Sequence, residues 1–334
     1  MGITSCHSSK SMHSLSGLQH KFGQALVGSL KMGEPRELYE PIEYILGIGG
    51  KRLRPVAVLM ACDLFQGDVD KALYPALAVE VFHNFTLMHD DIMDKAPLRR
   101  GKVTVHEHWD TNTAILSGDA MMIQSYRFLE HLSPELLAKA LPLFNRTALE
   151  VCEGQQLDMN FERLDHVSID QYLHMIAYKT AVLLACALKL GAWVANASEE
   201  DAEHLYQFGK HIGIAFQIQD DILDVFADQN KFGKQVGGDI LCNKKTFLLL
   251  KAMEQSTGEV KAKLMDYLQG EHADEDKVQG VTAIYESLGI REMAEAEMEK
   301  HYHAALEHLD AIAVEPERKQ ELQSLASFVT AREV

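Results

Sequence analysis

The first exclusions come from what is scarce. Five cysteines (Cys6, Cys62, Cys152, Cys186 and Cys242) are scattered over 334 residues with no Cys-x-x-Cys pair, so neither a disulfide framework nor a zinc site is indicated. Reduced thiols of this kind point to the cytoplasm. Proline is rare at 8 residues, and strand-like alternation bounded by Asn-Gly turns is absent, which argues against an all-β design. Residues 1–20 are rich in Ser and His and lack the apolar stretch of a secretory signal. Cys6 stands where an N-myristoylation pattern needs Ser or Thr. A flexible tail over residues 1–20 is therefore expected, followed by a single domain over 21–334. Positive charge is also in deficit: 32 Lys and Arg against 49 Asp and Glu leave −17. That argues against nonspecific nucleic-acid binding but leaves room for local basic clusters around an anion. The most membrane-like run, residues 180–197, contains Lys189 and follows Lys179, so it reads as a buried central helix and not a membrane span.

What the chain does have is helical periodicity. Helices are expected over residues 35–47, 52–66, 70–94, 112–131, 134–161, 168–197, 199–227, 243–267, 275–288, 290–312 and 315–331, with a Gly- and Lys-rich loop at 228–242. The fold class is all-α, with long helices around a deep apolar cavity.

Two segments then stand out. LMHDDIMD carries Asp90, Asp91 and Asp94, and IQDDILD carries Asp220, Asp221 and Asp224, each set at i, i+1 and i+4 after a strongly apolar run. Grouped carboxylates in such a setting repel one another and lose solvation unless cations are near. On a helix the first and third of each set share a face, with the second to one side. If two such helices face each other across a cavity, six carboxylates converge. Magnesium suits them, because it combines one or two carboxylates with waters and substrate phosphates.

Basic clusters supply the complement. GGKRLRP at residues 49–55 places Lys51, Arg52 and Arg54 at a helix start beside two glycines, and glycine lets backbone N–H groups approach an anion. It is not a P-loop, since Ile45 and Arg52 occupy the positions of the first Gly and the Ser/Thr. LRRGK at 98–102 sets Arg99 and Arg100 side by side in a turn, able to serve two phosphates. Lys179 and Thr180 open an apolar helical stretch; Lys234 lies in the Gly-rich loop; Lys244 and Lys245 begin the next helix. His83 and Gln217 precede the two aspartate sets. Glu80 and His83 make one Glu-x-x-His match, but a di-iron bundle needs a second and none occurs.

Taken in order, GGKRLRP, HDDIMD, LRRGK, GQQLD, YKT, FQIQDD and NKKT resemble the trans-isoprenyl diphosphate synthase (polyprenyl synthetase) family over about residues 40–250. The resemblance implies an isoprenoid-synthase bundle, usually a homodimer, that condenses isopentenyl diphosphate with an allylic diphosphate. It implies three magnesium ions, with Asp90, Asp94 and Asp220 as principal ligands and Asp91, Asp221 and Asp224 in support. Arg99, Lys179, Lys234 and Lys244 would hold the allylic diphosphate. Lys51, Arg54, His83 and Arg100 would hold isopentenyl diphosphate. Gln155 and Asp158 would add polar contacts, and Thr180 and Gln217 would lie near the developing cation. Phe85 and Thr86, five and four residues before Asp90, would floor the product cavity; one large and one small residue resemble short-chain enzymes making C20, with C15 close behind. A terpene cyclase lacks the basic isopentenyl site, and non-catalytic partner subunits tend to lose an aspartate set; this chain keeps both features.

Overall fold

A computed structural model of the chain describes residues 12–29, 33–227 and 237–330. It is almost entirely helical. The chain groups into two compact units, each drawn from three stretches: Met1–Phe144, Cys186–Leu205 and Ala313–Glu321 in the first; Asn145–Ala185, Tyr206–Ile312 and Leu322–Val334 in the second.

In the first unit, α1 (Leu15–Ser29), α2 (Arg36–Gly47), α3 (Leu53–Leu64) and α6 (Thr111–Leu129) surround α4 (Val69–Met93). Helix α4 is apolar on most of its circumference, which is the pattern of a buried helix. Asp68 caps its start by accepting from Asp70 N at 3.1 Å, and Asp94 N closes its end on Asp90 O at 2.9 Å. The expected flexible tail is corrected at its C-terminal end. Helix α1 begins at Leu15, because Leu18, Phe22 and Leu26 recur every four residues and are buried. A two-stranded hairpin, β1 (Leu98–Arg99) with β2 (Lys102–Val103), follows α4; Arg100 and Gly101 turn it with φ of 51° and 74°. The short α5 (Val105–His108) leads to α6, whose start Asp110 caps through Thr113 N at 2.9 Å.

The remaining helices are α7 (Pro134–Phe161), α8 (Ile169–Ile176), a π-helical turn (Ala177–Ala181), α9 (Val182–Val194), α10 (Glu199–Phe226), α11 (Gly238–Leu241), α12 (Phe247–Gln255), α13 (Gly258–Gln269), α14 (Asp274–Ser287), α15 (Ile290–Ala311), a 3₁₀ turn (Pro316–Lys319) and α16 (Gln320–Thr330). The second unit is cored by Tyr172, Ile176, Ile218, Ile222, Phe247 and Tyr285. Its helix start at Ser168 is a capping box with Gln171. Two expectations change here. The helix expected over 243–267 breaks at Ser256 and Thr257, both extended, before Gly258 at φ +55°. Lys244 and Lys245 precede that helix, because Thr246 is its cap, accepting from Leu249 N at 3.3 Å. The apolar run Ile169–Val194 is long enough to cross a membrane, but 78% of its most apolar window is buried, as expected for a core helix.

Candidate functional site

In the first unit, the aspartate end of α4, the hairpin and the turn before α3 come together. Arg99 turns one way along the hairpin and donates to both oxygens of Asp91, Nε to Oδ2 and Nη2 to Oδ1, each at 2.8 Å. Its Nη2 also lies 3.8 Å from Asp90 Oδ2. Arg100 turns the other way and donates to Gly49 O. Gly49 and Gly50 have φ of +86° and +140°, and a Cβ on Gly50 would fall 2.7 Å from Arg100 Cζ, so the bare backbone makes the seat for that guanidinium. The two basic motifs of the sequence are therefore one cluster.

At its centre is His83. Arg54 donates to His83 Nε2 at 3.3 Å, which requires a lone pair there and places the imidazole proton on Nδ1. Burial, and then the charges of Arg54, Arg100, Arg99 and Arg52, hold the His83 pKa well below its ordinary value. The ring is neutral at pH 7. Arg52 is spoken for: it pairs with buried Glu80 and donates to Leu46 O. Glu80 thus answers a cation and not a metal. Arg54, Arg99 and Arg100 also lie around that neutral imidazole, with Arg99 paired to Asp91, and guanidinium groups gathered in this way suit a polyanion.

In the second unit, Asp221 is buried. It accepts from the Tyr172 hydroxyl, from Gln217 Nε2 at 3.2 Å and from Phe247 N at 3.4 Å. Burial pushes its pKa up to about 7; Asp239 adds to the shift, while Tyr172, Lys244 and Gln217 oppose it. Asp224 Oδ2 accepts from Asp239 N at 2.9 Å, which ties the second aspartate set to α11. Burial acts to lower the Lys244 pKa, but Asp239, Asp221, Asp158 and Asp224 outweigh it, so the ammonium is held charged. Lys179 does not open a helix, as the sequence suggested. It sits inside the π-helical turn, where its Nζ meets Asp158 Oδ2 at 2.6 Å, and Thr180 Oγ1 donates to Gln217 Oε1 at 3.3 Å. One hydrogen-bond chain thus runs Thr180–Gln217–Asp221–Tyr172. Lys234 lies outside the described residues.

Asp91 and Asp221, the middle aspartates, spend their carboxylates on protein donors, and Asp224 gives one oxygen to Asp239 N. Sequence reasoning missed the donors, Tyr172 and the Phe247 amide, and missed Asp239. Among the described residues, no three His, Cys, Asp or Glu side chains form a closed metal cage. Hard carboxylate oxygens on the last turn of α4 fit magnesium that keeps its waters and takes phosphate oxygens, not a cation needing a full protein shell.

Phe85 is buried, edge-on to Phe82 (5.4 Å between ring centres) and His89 (4.9 Å), and Thr86 Oγ1 donates to His83 O at 2.7 Å. A cavity of about 850 Å³ in this unit is walled by Leu73, Leu77 and Val81 of α4 with α1, α2 and α6; Phe85 and Thr86 are not among its walls. Val81 is nine residues from Asp90, half a turn around the helix. This cavity lies behind α4 and is not the one expected beside the aspartates.

The Polyprenyl synthetase family model matches residues 35–286. A curated relative, geranylgeranyl diphosphate synthase of Methanosarcina mazei, is 36% identical over 306 residues, spanning 91% of this chain and 92% of its own. A crystal structure of a geranylgeranyl pyrophosphate synthase superposes with a TM-score of 0.92 at 42% identity, covering 97% of this chain and 100% of that one. The geranylgeranyl pyrophosphate synthase of Corynebacterium glutamicum, solved with calcium and isoprenyl diphosphate, superposes with a TM-score of 0.82 at 30% identity, covering 95% and 96%.

Proposed function

We propose, for a chain that belongs to the polyprenyl synthetase family and is a trans-prenyltransferase, that it condenses isopentenyl diphosphate with an allylic diphosphate to give geranylgeranyl diphosphate. The observation that carries the reading is the cluster of Arg54, Arg99 and Arg100 around a neutral His83, next to Asp90. Guanidinium groups gathered this closely suit a diphosphate, whose oxygens they can meet in pairs.

Asp90, Asp94 and Asp220 are the residues that would hold magnesium, three ions per site. Bound there, magnesium supplies positive charge for the diphosphate as it leaves. Arg99, Lys179, Lys234 and Lys244 bind that allylic diphosphate, and Lys51, Arg54, His83 and Arg100 bind isopentenyl diphosphate. The allylic C–O bond breaks with its electron pair going to diphosphate. The double bond of isopentenyl diphosphate supplies the pair for the new C–C bond, and a proton leaves to the released diphosphate. Thr180 and Gln217 place oxygens near the passing cation. Asp91 and Asp221 act by positioning: one fixes Arg99, the other fixes Gln217.

Exposed Leu116 (61%) and Ile123 (60%), with Ile115 and Met122, form a stripe on α6. They support pairing with a second copy, and light scattering should give twice 37.4 kDa; the single mass contradicts it. The exposed thiols of Cys152 and Cys242 support a cytoplasmic setting.

The experiment is incubation of purified protein with magnesium, isopentenyl diphosphate and dimethylallyl, geranyl or farnesyl diphosphate, then chromatography of the dephosphorylated products. Geranylgeraniol is expected. Failure to elongate any primer overturns the proposal; farnesol alone moves it to the C15 alternative.

A further inference from the structure

We infer that Gly154 and Gly213 are positioning residues: they let α7 and α10 close on the π-helical turn from two sides, and so set where Lys179 and Thr180 point. A Cβ on Gly154 would lie 2.7 Å from Lys179 Cα and 2.8 Å from Tyr178 C; one on Gly213 would lie 2.6 Å from Ala181 Cα. In both cases the obstacle is backbone, with no flexible side-chain end to give way. Gly23 in α1, by contrast, has nothing within 4 Å of such a Cβ.

The partners follow one helical turn further on. Asp158 is four residues after Gly154 and holds Lys179 Nζ at 2.6 Å. Gln217 is four residues after Gly213 and accepts from Thr180 Oγ1 at 3.3 Å. Residues four apart share a helix face. Each helix therefore presents a notch for the backbone of the turn and, directly beyond it, a side chain for its polar group. A π turn is an extra residue in the helix and persists where its surroundings hold it. Filling either notch moves a helix away from the turn and carries Asp158 or Gln217 with it. A misplacement of about 1 Å costs on the order of 100-fold in rate.

This inference rests on the reading of Lys179 and Thr180 as substrate-facing groups, so its test has a readout that needs no turnover. The full-length wild type, G154A, G213A and the control G23A are compared by hydrogen exchange over residues 177–181. They are then compared by kinetics with each substrate varied. Exchange over 177–181 should quicken in G154A and G213A and stay unchanged in G23A. G154A should raise KM for the allylic diphosphate about tenfold while KM for isopentenyl diphosphate stays within about twofold. Added to K179A, G154A should raise KM no further, because it acts through Lys179. Unchanged exchange in both variants, a parallel rise in both KM values, or additivity with K179A overturns the inference. Should G154A fail to fold, Asp158→Asn, which adds no heavy atom, replaces it in the K179A cycle with the same expected non-additivity. A wild type that condenses nothing sinks the proposed function, while the exchange data still decide the clamp.

Discussion

Arg99 holds Asp91 with two parallel hydrogen bonds of 2.8 Å, so the second aspartate of the first motif faces a protein cation. This pair predicts how the motif divides its work. Asp91→Asn should raise KM for the allylic diphosphate about 10-fold or more, the worth of a hydrogen bond to a charged group. In a double-mutant cycle with Arg99→Gln the two effects should not add. Steady-state kinetics with the allylic substrate varied checks it; simple additivity would show that Asp91 acts independently of Arg99.

Tyr172 plays the matching part for Asp221. Its pKa is raised well above the ordinary value by burial and by Asp221, so it stays a neutral donor. Tyr172→Phe leaves the buried Asp221 with the more distant Gln217 and Phe247 donors. A loss of about 1–3 kcal/mol is expected in urea unfolding. An unchanged midpoint and slope would show that the hydroxyl contributes nothing.

Acid should destabilise the fold through a histidine pair in the second unit. His211 Nδ1 and His301 Nδ1 are 2.9 Å apart, a spacing at which only one of the two can carry a proton. His308, Lys210, Lys300 and Glu297 complete the surroundings. Burial, then His301 and His308, lower the His211 pKa from 6.5 to about 4. The unfolded chain therefore binds the proton first. The stabilisation is present above pH 6.5 and is lost as pH falls from 6.5 towards 4. His211→Gln should flatten the fall in melting temperature over that window. Parallel curves for the two proteins would contradict the assignment.

Phe85 is buried against Phe82 and His89. Phe85→Ala should cost about 3–5 kcal/mol of stability, as other buried Phe truncations do. If the ring also floors the product cavity, chromatography of the products will show chains longer than those of the wild type. An unchanged product distribution places the floor elsewhere.

Much of this is legible in the sequence. The aspartate sets fall at the ends of α4 and α10 as expected, because apolar periodicity marks long helices well. His83, seven residues before Asp90, stands out in the sequence, and in the structure the arginines gather around it. The roles of Asp91 and Asp221 were not legible, because they depend on Arg99, Tyr172 and Phe247, whose approach is a matter of tertiary packing. The π turn was hidden inside a continuous apolar run, and only Gly154 and Gly213 betray it, by contacts no local pattern encodes. The two-residue strands around Arg100 are too short to show an alternation. Helix α1 was obscured by the Ser- and His-rich residues around Leu18 and Phe22, and the break at Ser256 by the apolar runs on either side.

The central claim is that both acidic motifs serve one magnesium-dependent condensation, and single substitution of each is its most direct measurement. With magnesium, isopentenyl diphosphate and the preferred primer, Asp90→Ala and Asp220→Ala should each lower kcat by at least about 100-fold, with far-ultraviolet circular dichroism unchanged. Near-normal turnover by either variant at saturating magnesium would contradict the account.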